Sequence, residues 1–72
     1  MNDASLVRMA NQIAANCGHL PPEEGAQAIA SHLKAFWAPV MRDDLVAHAD
    51  HAPDDLDPLV LAALELLGAP AR

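Results

Sequence analysis

Apolar side chains recur every three or four residues along most of the chain, which is the spacing of one face of an α-helix. Proline and glycine interrupt this pattern and divide it into four segments. The first predicted helix covers residues 4–17, with Asp3 as its N-cap and Gly18 as the residue that ends it. Its apolar face consists of Leu6, Met9, Ala10, Ile13 and Cys17.

Two consecutive prolines followed by two glutamates mark the start of a second helix, predicted over residues 22–37. Its apolar stripe consists of Ala26, Ile29, Leu33 and Phe36. We expect Phe36, in the middle of the stripe, to lie in the core. His32 and Trp37 lie on opposite borders of the stripe. For Trp37 two environments stay open: packing in the core, or half of the ring facing outward as part of an interface.

Pro39 disfavours helical geometry at the preceding residue and starts a third helix, predicted over residues 39–48. Met41, Leu45 and His48 share one face of it. Residues 50–57 then predict an acidic, proline-containing and mobile linker. An Asp-Pro pair caps and opens the last helix, predicted over residues 58–67.

The last predicted helix is apolar around nearly its whole circumference, with Glu65 as its one charged residue. A helix of this kind needs burial on more than one side. Three other short helices can hardly surround it, so we expect this helix to contact a second copy of the chain or a larger partner. Strand signals are nearly absent, because the chain has no threonine or tyrosine. The predicted fold is a small, single, all-α domain of three to four short helices spanning residues 1–72.

Length and charge exclude several classes of protein. A chain of 72 residues cannot contain both a deep catalytic cleft and the scaffold to hold it. A net charge of −6 repels phosphate backbones and disfavours nucleic-acid binding. One cysteine cannot form an internal disulfide, and neither a signal peptide nor a membrane-spanning run is visible. We therefore expect a soluble cytoplasmic protein.

Candidate chemistry is sparse. Cysteine and histidine are residue types that ligate zinc, and the chain has Cys17, His19, His48 and His51. However, the chain has no C-x-x-C pair, which structural zinc sites commonly contain. Cys17 is better interpreted as a small buried apolar residue, and we expect the purified protein to carry no stoichiometric zinc. Cys17 also lies at a helix C-terminus, which lacks the positive field that activates a thiol. We therefore predict no catalytic residue, no metal site and no cofactor bound by this chain.

The most informative segment is residues 32–42, with the sequence HLKAFWAPVMR. It contains both aromatic residues that are not histidine, an internal methionine and half of the basic residues. Trp, Met and Arg are enriched at protein interfaces and their hot spots. We interpret this segment as a candidate contact with another protein. We expect Arg42 to be exposed or paired with a nearby acid unless a partner covers it.

Three segments carry a resemblance to a known family. The chain resembles the delta subunit of soluble NAD-dependent formate dehydrogenases that contain molybdenum or tungsten. The segments that carry the resemblance are LVRMANQIA at residues 6–14, the segment 32–42, and LDPLV at 56–60 followed by Ala63-Leu64. Two positions depart from the family pattern. Ala38 stands where the family usually has an acid, and Val40 stands where it usually has an arginine.

The resemblance implies a non-catalytic accessory subunit. In such complexes other subunits carry bis-molybdopterin guanine dinucleotide, iron–sulfur clusters and FMN, and bind NAD. The chain is then expected to dock on the catalytic alpha subunit and to support assembly, stability or cofactor loading. The predicted interface residues are Met9, Gln12, His32, Trp37, Met41, Arg42, Leu61 and Leu64. The alternative is an independent small helical regulator or adaptor, antitoxin-like, that self-associates through its C-terminal helix.

Overall fold

The structure is a computed structural model that describes residues 3–68. Helix α1 spans Asp3–Asn16, α2 spans Pro22–Phe36, α3 spans Pro39–His51 and α4 spans Pro58–Leu66, with a short 3₁₀ helix at Pro53–Asp55 between α3 and α4. The described residues contain no strand. The predicted all-α class is confirmed.

Local sequence explains where three of the helices begin. Pro22, Pro39 and Pro58 each occupy the first turn of a helix, where the missing N–H costs no hydrogen bond. At α4 the Asp57 carboxylate also accepts a hydrogen bond from the Leu59 N–H at 2.9 Å. This is the side-chain cap that the Asp-Pro pair predicts.

The core forms where α1, α2 and α4 meet, and α3 closes it from the side of α1. α2 and α4 form the most extensive helix pair, and α1 contacts each of the other three helices. The largest fully buried side chains are Leu6, Ile29, Leu33, Leu45 and Val60. Gly25 of α2 faces Leu59 of α4, and a Cβ at Gly25 would lie 3.4 Å from the Leu59 side chain, an ordinary van der Waals contact.

Gly18 does not end α1 in the way that the sequence predicts. The helix ends at Asn16, and Gly68 is the glycine that adopts a positive φ, at 82°. The Cys17 N–H instead donates to the Ala14 carbonyl at 3.0 Å, so the last turn tightens into i→i−3 hydrogen bonding. This tightening makes a left-handed residue after α1 unnecessary.

Most of the predicted linker at residues 50–57 is helical. α3 continues to His51, and Pro53–Asp55 forms the 3₁₀ helix. Asn11 of α1 holds the segment: its side-chain amide donates to the Asp55 carbonyl at 3.0 Å and its Oδ1 accepts from the Asp57 N–H at 2.9 Å. Contacts from a distant helix therefore tie this segment to α1, and its mobility stays a prediction.

The expected surplus of apolar surface on α4 is also largely absent. Val60, Ala63 and Leu64 are buried, and Leu59, Leu61 and Leu67 are half-buried against the core. Among the large apolar residues of α4 only Leu66 is mostly exposed, at 55%. The helix is so short that α2 on one side and α1 on another cover most of its circumference.

Candidate docking surface

Four of the predicted interface residues converge on one groove between α1 and the C-terminal end of α2. We call this the α1–α2 groove, and its volume is about 590 Å³. It is lined by Ser5, Arg8, Met9, Gln12, Ile13, His32 and Trp37. Met9 and Ile13 supply apolar walls that pack partly on the core, whereas Gln12 and His32 are exposed. The groove therefore offers both apolar and hydrogen-bonding contacts to a partner.

The two aromatic residues at this end of α2 differ sharply in burial. Trp37 is 8% exposed and belongs to the core, whereas Phe36, predicted in the core, is 76% exposed. Trp37 is the C-cap residue with an extended backbone, φ −95° and ψ 139°, and its N–H still donates to the Leu33 carbonyl. Of the two environments that the sequence leaves open for Trp37, the structure has the core, and the residue also lines the groove.

Phe36, which the sequence predicts in the core, contacts His32, one of the residues that line the α1–α2 groove. Its ring centroid is 4.9 Å from that of His32, at an interplanar angle of 43°. Among the described residues Phe36 is the most exposed large apolar side chain, followed by Val40 at 63%. A phenyl ring left in solvent beside a groove is typical of a surface that another protein covers.

A second groove lies where α2, α3 and the end of α4 meet, and we call it the basic groove. Its volume is about 360 Å³, and it is lined by Gln27, Ala30, Ser31, Lys34, Arg42, Leu66 and Leu67. Two of these residues are basic and none is acidic. Arg42 is half-buried and has no ion pair within residues 3–68, which is neither of the two environments expected for it in the absence of a partner.

The remaining predicted interface residues line neither groove. Met41 and Leu61 are half-buried against the core. Leu64 is 4% exposed and is part of the core itself, so most of its side chain is used by packing inside the chain. A partner contact through Leu64, as through Met41 and Leu61, stays a prediction.

A histidine and two aspartates meet beside Asn11. His48 Nε2 lies 2.8 Å from an Asp55 carboxylate oxygen, and His48 Nδ1 lies 3.7 Å from Asp3. The adjacent concavity of about 550 Å³ has neither a hydroxyl nor a thiol among its lining residues. A His-Asp pair without a nucleophile lacks the arrangement of a catalytic triad. We interpret these contacts as ones that tie the 3₁₀ helix to α1 and α3.

Metal ligands are not brought together. Within residues 3–68 no group of three or more His, Cys, Asp or Glu side chains could hold a metal ion. Cys17 packs partly against the core, and the rings of His48 and His51 lie 5.3 Å apart. The absence of zinc in the purified protein stays a prediction. In the same residues no helix combines the length and apolarity needed to cross a bilayer.

Comparison with known proteins identifies the family. The family model described as NADH-dependent formate dehydrogenase delta subunit FdsD matches residues 5–64. No curated protein and no solved structure gives a significant match. The family match covers most of the chain, including every lining residue of the α1–α2 groove and all of those of the basic groove except Leu66 and Leu67, and it confirms the resemblance stated from the sequence. The chain therefore belongs to the family of NADH-dependent formate dehydrogenase delta subunits.

Proposed function

We propose that this chain is a non-catalytic subunit that docks on the catalytic alpha subunit of a cytoplasmic NAD-dependent formate dehydrogenase and supports its assembly, stability or cofactor loading. The observation that carries the proposal is the family match over residues 5–64. The site geometry supports it. Four of the residues predicted to contact a partner line one groove, and the exposed ring of Phe36 contacts one of them, His32.

We further propose that other subunits hold the molybdopterin, iron–sulfur, FMN and NAD groups of such a complex. Iron–sulfur clusters need several thiolates, and this chain has one cysteine, which is half-buried. The chain's own contribution is then made through surface contacts. The alternative of a regulator that self-associates through its last helix loses its main argument, because α4 is mostly covered within the chain.

The experiment is co-expression of the catalytic subunit with and without this chain. We expect the chain to co-purify with the catalytic subunit, and we expect the complex formed without it to have less bound molybdenum or tungsten, or a shorter half-life of formate-dependent NAD reduction. A catalytic subunit that neither retains the chain nor differs in metal content, stability or activity in its absence contradicts the proposal.

A matched pair of variants on α1 tests the surface. Gln12→Arg places a longer, charged side chain in the α1–α2 groove at an exposed position. Asn16→Arg introduces the same residue one turn later, at an exposed position that lines neither groove. We expect Gln12→Arg to weaken association by about tenfold or more, equivalent to about 1.4 kcal/mol, and Asn16→Arg to leave it unchanged. Equal effects of the two variants on association would indicate that the partner contact lies outside the α1–α2 groove.

A further inference from the structure

The distribution of basic side chains is uneven. The sequence has four Lys and Arg residues against ten acids, and three of the four lie in the described part of the chain. The ion pairs found there both belong to His48. Lys34 and Arg42 therefore meet in the basic groove without an acidic partner from residues 3–68, in a protein that is otherwise strongly acidic.

Arg42 is incompletely hydrogen-bonded. Its Nε is shielded from solvent and has no hydrogen-bond partner among the described residues. A buried donor without a partner costs free energy, and the cost is larger for a charged group. The two terminal nitrogens of the guanidinium carry further N–H donors, and these can bind the oxygens of a carboxylate. A carboxylate in the groove therefore suits the charge and the terminal donors of Arg42, although it does not reach the shielded Nε.

The rest of the groove indicates where that carboxylate comes from. Lys34 supplies a second positive charge, and the exposed amide of Gln27 and hydroxyl of Ser31 supply neutral hydrogen-bonding groups. Leu66, 55% exposed, adds an apolar rim. A free anion gains nothing from an apolar rim, and the net charge of −6 repels it at long range. An acidic side chain beside an apolar one on a protein surface uses both features.

We propose that the basic groove is the docking point for an aspartate or glutamate of a partner protein, held by Arg42 and Lys34, with an adjacent apolar partner residue against Leu66. The partner is the catalytic subunit, and in this respect the inference rests on the proposed function. The argument is charge complementarity: among residues 3–68 the groove is lined by two cations that have no ion pair and by no acid.

The test is the affinity of the full-length chain for the catalytic subunit, measured by titration at low and high salt. We expect Arg42→Gln and Lys34→Gln each to weaken binding about tenfold, and Lys34→Glu to weaken it more. Arg42→Lys keeps the positive charge but loses the planar guanidinium with its paired N–H donors. We therefore expect its loss of affinity to be smaller than that of Arg42→Gln. Wild-type affinity should fall several-fold between about 0.05 and 0.5 M salt, and this dependence should be smaller in the Gln variants.

The matched control is Ala47→Glu. It changes net charge by the same amount as Lys34→Gln, at an exposed helical position that lines neither groove. Circular dichroism of each free variant checks that helical content is kept. Unchanged binding of Ala47→Glu, with losses in the groove variants, supports a local contact. Equal losses in all of them indicate a general charge effect and overturn the proposal.

The remaining outcomes separate the inference from the proposed function. If the wild-type chain binds the catalytic subunit and folded Arg42→Gln and Lys34→Gln bind equally well, the groove is not the docking point, although the proposed function stands. If the wild-type chain does not bind the subunit at all, both are wrong. Saturable binding of inorganic phosphate by the isolated chain, lost in Arg42→Gln, would identify a small-anion site and overturn docking of a protein side chain.

Discussion

Phe36 and Trp37 show how one residue's backbone geometry decides what a surface offers. Leu33 is fully buried, and these two residues lie three and four positions after it, so helical periodicity alone does not distinguish them. The chain leaves helical geometry at Trp37, which turns this ring into the core and leaves Phe36 outside. The sequence predicted an aromatic corner correctly, but the assignment of inside and outside depends on a dihedral angle that the pattern does not encode.

The first residue-scale prediction is that Trp37→Ala destabilises the free chain by about 3–5 kcal/mol, because it leaves a cavity in the core. Phe36→Ala, at a side chain that is 76% exposed, should change the free energy of unfolding by less than about 1 kcal/mol. Urea unfolding followed by circular dichroism measures both. Similar stability of the two variants would show that the Trp37 ring is not part of the core. A binding defect of Trp37→Ala is interpretable only if that variant is folded.

At the scale of elements, the starts of helices were more predictable than their ends. Three starts are marked by proline in the first turn, and Asp57 adds a side-chain cap. The end of α3 and the 3₁₀ helix were not predicted, because Asn11, more than forty residues earlier, supplies the hydrogen bonds that order this region. A pattern of neighbouring residues contains no information about such a distant partner.

The element-scale prediction concerns the start of α4. Asp57→Ala removes the carboxylate that accepts from the Leu59 N–H and should lower the free energy of unfolding by about 1 kcal/mol. Asp57→Asn should keep most of the stability, since asparagine is an equally good cap. Asp54→Ala is the control, because Asp54 is an exposed acid of the 3₁₀ helix. A loss of stability in Asp54→Ala as large as that in Asp57→Ala would attribute the effect to charge and not to capping.

At the scale of the whole molecule, the candidate site was predicted in part. The sequence predicts eight interface residues, and four of them line one groove: Met9, Gln12, His32 and Trp37. The basic groove was not predicted as a unit, because α2, α3 and the end of α4 each contribute to it. The apolar pattern of α4 predicts a surface for a partner, whereas most of the apolar side chains of α4 pack inside this small fold.

The whole-molecule prediction is that the isolated chain is helical but only a few kcal/mol stable, since a domain of this size buries a limited core. It should bind a hydrophobic dye or self-associate through its exposed apolar residues, Phe36, Val40 and Leu66. Changing these three to serine should reduce dye binding without a large change in the urea midpoint. A monomeric wild-type chain that binds no dye and melts above about 90 °C contradicts this prediction.

The two hydrogen bonds of Asn11 have a consequence for how the chain folds. They join positions 44 and 46 residues apart, so they close a loop that contains all of α2 and α3. The entropy of closing that loop opposes these contacts until the intervening helices have formed. The first and last helices are then secured together in a late, cooperative step. We therefore expect the Asp57 amide proton to exchange with solvent only when the whole molecule opens, although it lies next to a segment rich in proline and aspartate.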